Sequence, residues 1–295
     1  MKRKAVFSAL FVMLLWGSLF PMVKLGFSAY EVKGIADILT FAGIRFVVCG
    51  LVISLFAAFR DKKSYRPVKS AWLPILLSGL FSIILHYSFT YLGLELTDSS
   101  KTALIKQIGA LIYICFSFLF VKEDRPTLQK IIAALIGFGG IIALNVTSEG
   151  ISFSLGDGLI LCASFCTVFA TVISKSVFRR VSPITATGVS QLFGGAVLLL
   201  IGWLMGGRVT FRADLSILIM IYICAASVVS YCIWFTTVKN GEISRLFIIK
   251  FAEPVFACVF GALILGENIW KIQYLIAFLL ISGGILISNI KPRAR

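Results

Sequence analysis

Two lysines, Lys106 and Lys250, stand inside long apolar stretches, each five residues after another basic residue, Lys101 or Arg245. In a helix rising 1.5 Å per residue, that places them roughly 8 Å deep. A charge inside hydrocarbon costs from about 2.5 kcal/mol upward, so such groups face a cavity or one another, or snorkel their stems to an interface. Two ammonium groups sharing a cavity would take a carboxylate or a phosphate. Glu253 follows Lys250 by three positions, a spacing that shares a helical face. It either neutralises that lysine or receives a substrate ammonium or a coupling proton. Pro254 breaks helical hydrogen bonding beside it, which is tolerated where a helix lines a cavity. His86, the single histidine, is either a satisfied packing residue or a proton relay.

Aromatic residues supply the matching apolar wall. Tyr87 and Tyr91 are four apart, and Tyr231, Trp234 and Phe235 have comparable spacing further on. They form either ordinary core or a stacking surface with tyrosine hydroxyls as donors. Trp16 and Gln107 join this candidate binding set. Arg45 is read as a structural pairing or a lipid-facing snorkel, and Lys24 as an interfacial anchor.

These residues need elements that hold them in lipid. The 295 residues are 59% hydrophobic and 14% charged, with mean hydropathy +0.99, against roughly 25% charged for a soluble domain. That excludes an ordinary soluble enzyme and a disordered chain. Apolar runs predict ten membrane-spanning helices, at 5–26, 38–59, 71–94, 102–121, 128–147, 157–177, 184–205, 215–238, 246–266 and 271–290, each near the ~20 residues a bilayer requires. The first run follows Met1-Lys2-Arg3-Lys4 and continues to Val23 without an obvious small-residue cleavage site, so it reads as a retained span. With the N-terminus inside, nineteen Lys and Arg residues fall on inner segments and five on outer ones, so both termini are predicted cytoplasmic. The net charge of +15 is spread over short loops and reflects topology and anionic lipid rather than nucleic acid. Seven cysteines all lie within predicted spans and read as small packing residues. No phosphate-binding loop, dinucleotide fingerprint or zinc-protease motif is present, so neither an enzyme nor a cofactor or metal is expected.

The chain repeats itself. An offset of 144 superposes Tyr87 on Tyr231, Ser100 on Ser244, Lys106 on Lys250, Glu123 on Glu267, Gln129 on Gln273, Gly139-Gly140 on Gly283-Gly284 and Asn145 on Asn289. Coincident Lys, Glu, Gln and Gly-Gly at one offset mark a duplication. Five spans per half is an odd number, so the second copy must enter the membrane inverted, as in many secondary transporters. The halves are 1–148 and 149–295. Glu123 and Glu267 read as caps or pairs at helix junctions, and the two Gly-Gly pairs as close helix packing.

This layout, with Trp16-Gly17-Ser18 in the first span, Arg45 in the second, and "FVKE" and "LGE" closing the fourth and ninth, resembles the EamA branch of the drug/metabolite transporter superfamily. The resemblance covers essentially the whole chain. It implies an all-α fold of ten transmembrane helices in two inverted five-helix repeats, a central cavity lined mainly by spans 1, 3, 4, 6, 8 and 9, and export or exchange of small metabolites. Phe169-Ala170 stands where a second Trp-Gly would be expected, a departure from symmetry between the two cavity halves.

The expected function is secondary active transport, by alternating access, of a small zwitterionic or anionic metabolite, an amino acid being the best single choice. Lys106 and Lys250 would hold its carboxylate, Glu253 its ammonium or a proton, and Tyr87, Tyr91, Tyr231 and Trp234 its side chain. The alternatives are efflux of lipophilic cations on Glu253, and a non-transporting scaffold or lipid-binding protein. Expected partners are the substrate, the bilayer and a proton gradient, with a monomer or homodimer in the cell membrane.

Overall fold

The computed structural model describes residues 3–60, 69–109, 111–112, 128–147, 150–178, 180–210, 214–240, 249–250 and 252–289. Cys115, Glu123, Arg245 and the loop cations at 62, 63 and 66 lie outside the described residues, as does the side chain of Phe235. The helices are α1 (Arg3–Ala29), α2 (Gly34–Arg60), α3 (Trp72–Leu96), α4 (Ser99–Lys106), α5 (Leu128–Leu144), α6 (Leu155–Val177), α7 (Pro183–Leu204), α8 (Ser216–Asn240), α9 (Ala252–Leu265) and α10 (Ile272–Asn289). Six contain segments long and apolar enough to cross a membrane: α1, α2, α3, α6, α7 and α8. Each of these lies within a few residues of an apolar run in the sequence. The all-α expectation needs one amendment, a two-residue antiparallel pairing of Val146–Thr147 with Gly150–Ile151 between α5 and α6.

Local signals set the boundaries. Ser154 and Asp157 form a reciprocal capping box at the start of α6, satisfying backbone donors that the first turn leaves unpaired. Pro183 opens α7, where its missing N–H costs nothing. Gly206 and Gly266 follow α7 and α9 with φ of 81° and 66°, the left-handed conformation that ends helices with little strain for glycine. Inside α3, Leu80–Leu85 winds as a π-helix, a local widening frequent at functional sites.

The helices pack as pairs. α2 runs along α7 and α5 along α10, while α1 lies between α8 and α9 and α6 lies between α3 and α4. On the α2–α7 seam, Gly43 faces Leu199 and Gly50 faces Leu192, and Gly195 faces Val47 and Gly202 faces Thr40. One number falls as the other rises, so the two helices are antiparallel. Small residues let backbones approach where lipid supplies no hydrophobic drive. In the two Gly-Gly pairs only the second member does this: a Cβ on Gly140 would lie 2.7 Å from Ile281 and one on Gly284 2.7 Å from the Ala133 carbonyl, whereas one on Gly139 would meet Leu280 only at 3.9 Å and one on Gly283 would face open space.

The surface is apolar and part of the interior is polar. Phe59, Leu155, Leu263 and Trp270 are exposed, while Arg45, Gln191, Ser227, Ser230 and His86 are buried. Polar side chains turned inward mark a substrate path in a membrane bundle.

Candidate functional site

Arg45 sits where α2, α3 and α8 meet, 1% exposed. Its guanidinium donates to Ser227 Oγ at 2.7 Å from Nη2 and 3.2 Å from Nε, and to the Tyr91 hydroxyl from Nη1. It also lies 4.8 Å from the Phe46 ring centre and 5.4 Å from that of Tyr87, within range of cation–π attraction. The lipid-facing alternative for Arg45 is therefore wrong. α2 begins at Gly34, four residues before the apolar run at 38 suggested, so Arg45 stands eleven residues in, roughly 16 Å deep.

Tyr87 and Tyr231 share a hydrogen bond of 2.6 Å between their hydroxyls. These are the two residues that the sequence offset of 144 superposes, so equivalent positions of α3 and α8 meet each other. Trp16 packs against Tyr231 and Trp234, at centroid distances of 5.9 and 5.1 Å, and donates to Ser230 Oγ at 2.9 Å. Tyr91 stacks edge-on to Tyr87.

The two lysines reach this aromatic wall from different helices. Lys106 Nζ is 5.1 Å from the Phe20 ring centre and 6.0 Å from that of Tyr87, and Lys250 Nζ is 5.8 Å from Trp16 and 6.0 Å from Trp234. His86 Nε2 is 3.3 Å from Lys106 Nζ, and its Nδ1 is 2.9 Å from the Ala163 carbonyl. A carbonyl only accepts, so Nδ1 carries the hydrogen and Nε2 takes one from the ammonium. Gln107 is buried at the turn after α4.

Glu253 is buried in the first turn of α9, and its charge acts on Lys106 together with those of Lys250 and Arg45. It makes no ion pair with either lysine; Lys101–Asp157 is the one such pair among the described residues. Lys250 lies in the turn before α9, and the Glu253 N–H donates to the Lys250 carbonyl at 3.0 Å, so the two residues share one hydrogen-bonded turn at the start of that helix. Pro254 sits in the same first turn; it helps to start α9 rather than interrupting it.

α4, which carries Lys106, is held at its start by α6 and the α9–α10 loop. Glu267 accepts from the Ser99 N–H at 2.7 Å, the Ser100 N–H at 3.0 Å and Ser100 Oγ at 2.5 Å, capping the positive end of the helix. Lys101 donates to Asp157 and Asn145, both at 2.9 Å, and Tyr274 donates to Asp98. Partial burial alone would raise the Glu267 pKa, but the Ser100 and Ser99 donors outweigh it and hold the carboxyl below the usual range. A lowered native pKa adds stability above the unfolded value, near 4.3, that is lost as pH falls through the native one. Glu267→Gln is expected to cost about 1–2 kcal/mol at neutral pH, limited by solvent screening, and to flatten the acid limb of the Tm–pH curve. An acid limb as steep in the variant as in the parent would remove Glu267 from this role.

Comparison with known proteins places this geometry. The model of the EamA-like transporter family matches residues 3–146 and 154–289. The chain belongs to the EamA-like transporter family. Among relatives of this EamA-like chain, the Bacillus subtilis protein called Uncharacterized transporter YvbV is 25% identical, over 100% of this chain and 94% of its own. The Escherichia coli K12 protein called Uncharacterized inner membrane transporter YedA is 24% identical, over 96% and 90%. The Arabidopsis thaliana WAT1-related protein At3g02690, chloroplastic, is 27% identical over 88% of this chain, which spans 63% of that plant protein's length. A solved crystal structure superposes with a TM-score of 0.67 over 97% of this EamA-like chain and 96% of its own, at 19% identity, a likeness of fold. The chain is thus a multi-pass membrane transporter.

The sequence candidates Trp16, His86, Tyr87, Tyr91, Lys106, Tyr231, Trp234 and Lys250 are connected by the ring contacts and hydrogen bonds described above. Arg45, Ser227 and Ser230 belong with them, and sequence reasoning missed all three as site residues. An arginine within an apolar run was a signal for the first; serines in membrane helices are too common to stand out.

Proposed function

We propose that this transporter moves a small zwitterionic or anionic metabolite, an amino acid being the leading choice, by alternating access between two inverted halves, 1–148 and 149–295. The observation that carries the reading is the charge balance of the centre among the described residues, where Arg45, Lys106 and Lys250 stand against Glu253. Three cations and one carboxylate favour a ligand bearing net negative charge or a carboxylate. The two lysines hold that carboxylate, Glu253 takes an ammonium or a proton, and Trp16, Tyr87, Tyr91, Gln107, Tyr231 and Trp234 surround the remainder. His86 holds Lys106 in place.

The inverted arrangement is supported by the sequence offset, by the two-part family match, and by packing in which α1 on α8 has its counterpart in α6 on α3, and α1 on α9 in α6 on α4. The self-paired helices α2–α7 and α5–α10 complete that pattern. The excess of loop cations supports cytoplasmic termini in a cell membrane.

Uptake into proteoliposomes of labelled amino acids, organic acids and phosphorylated metabolites tests the reading. A saturable carboxylate substrate is expected, with Lys106→Gln and Lys250→Gln each lowering transport about tenfold, the equivalent of ~1.4 kcal/mol, at unchanged Tm. Saturable flux of carboxylates unaltered in both variants would sink the carboxylate role, and flux of lipophilic cations dependent on Glu253 would replace the substrate class.

A further inference from the structure

Between α3, α6, α7 and α8 lies a cavity of about 60 Å³ walled by Ser78, Ser82, Ser174, Thr187, Ser190 and Gln191. It sits at the end of the bundle where α6 finishes and α7 begins, and Tyr231 is the one central aromatic that reaches it. Among the described residues, no charged side chain lines it. We infer that this cavity is a binding site for one small monovalent cation, held by neutral oxygens.

Three observations support a ligand there. First, two of the wall hydroxyls, those of Thr187 and Ser190, have already committed their hydrogens. Thr187 donates to the Pro183 carbonyl at 2.8 Å and Ser190 to that of Ala186 at 2.7 Å, while Ser78 and Ser174 share one contact at 3.4 Å. What Thr187 and Ser190 still offer is lone pairs. Second, Gln191 is 1% exposed and both polar atoms of its amide lack a partner. A buried amide without a partner is destabilising, and one kept in a wall of acceptors points to an occupant. Third, Ser82 and Ile83 come from the π-helical stretch of α3, which Gly79 and Gly194 allow against α7.

Acceptor oxygens without a formal charge suit an ion that is easily dehydrated. An anion would meet the committed hydroxyls of Thr187 and Ser190 oxygen first. At roughly 10–15 Å³ of such space for one water, the cavity has room for one small ion with a few waters, or for an ammonium head. The inference concerns binding and stands apart from the transport reading.

The test is the Tm of the purified full chain in detergent, in sodium, potassium or methylammonium chloride against N-methyl-D-glucamine chloride at equal ionic strength. A cation that binds the native state alone raises Tm saturably. At least one small cation is expected to do so; sodium or potassium would mark a metal ion, and methylammonium alone an amine head. Gln191→Leu is expected to abolish the response while raising the ion-free Tm, because it removes the unpartnered amide. Ser190→Ala should weaken the response and serves if Gln191→Leu does not fold. Lys106→Gln, outside the cavity, should keep it. Absence of any cation-specific shift, meaning that only water occupies the cavity, or an undiminished shift in both cavity variants would overturn the inference.

Discussion

Gly50→Val and Gly195→Val are expected to leave little folded protein. A Cβ on Gly50 would lie 2.3 Å from the backbone nitrogen of Leu192, and one on Gly195 2.5 Å from that of Val47. Both obstacles are main chain, so no side-chain rotation relieves them and α2 must part from α7. Overpacking of a core costs about 1–3 kcal/mol where side chains can yield, so the upper end or more is expected here. At roughly 2–4 °C per kcal/mol for a chain of this size class, that is a fall of about 6–12 °C in Tm. Gly283→Ala is the control, because nothing lies within 4 Å of the added carbon. Size-exclusion profiles and Tm should separate the seam variants from that control; seam variants as stable as Gly283→Ala would mean that α2 and α7 are not in close contact.

Arg45→Met should reduce transport about 100-fold or more, some 2.7 kcal/mol, with a smaller effect on Tm. The methionine fills much of the volume among Phe46, Tyr87 and Tyr91, but it leaves the Tyr91 and Ser227 hydroxyls without their shared donor and removes a central positive charge. Arg45→Lys should restore little, because one ammonium does not reproduce a planar fork that meets Ser227 and Tyr91 together. The expected pattern in proteoliposomes is a depressed rate for both variants with folded protein recovered. Wild-type rates in Arg45→Met would reduce Arg45 to a packing residue.

Much of the fold could be read from the sequence because lipid imposes a simple code. An apolar run of about 20 residues between charged ends leaves few alternatives, and all six long spans lie where such runs do. The offset of 144 puts Tyr87 and Tyr231 in correspondence, and their hydroxyls meet. What the sequence hid is side-chain direction. Hydropathy starts the second span at 38, yet the helix starts at Gly34, and those four residues carry Arg45 from the margin to the centre. Spacing puts Glu253 one turn from Lys250, and a backbone bond joins them, but α9 begins only at Ala252, a boundary the sequence does not mark. The doubled glycines look equivalent, and rotation by about 100° per residue puts only one of each pair in tight contact with a neighbour.

The Tyr87–Tyr231 bond joins two chemically identical groups, so either hydroxyl can be the donor and only the surroundings choose between the two arrangements. Whichever hydroxyl donates spends its hydrogen on the other, and the acceptor keeps its own to point elsewhere. If Tyr231 turns its lone pair towards a cation in the cavity beside it, it donates to Tyr87, and the Tyr87 hydrogen is left facing the side of Arg45 and Lys106. Emptying the cavity lifts that bias. Reversing the bond turns both hydroxyl hydrogens and moves no heavy atom, so a change of charge on one side of the Tyr87–Tyr231 pair can reach the other side through it.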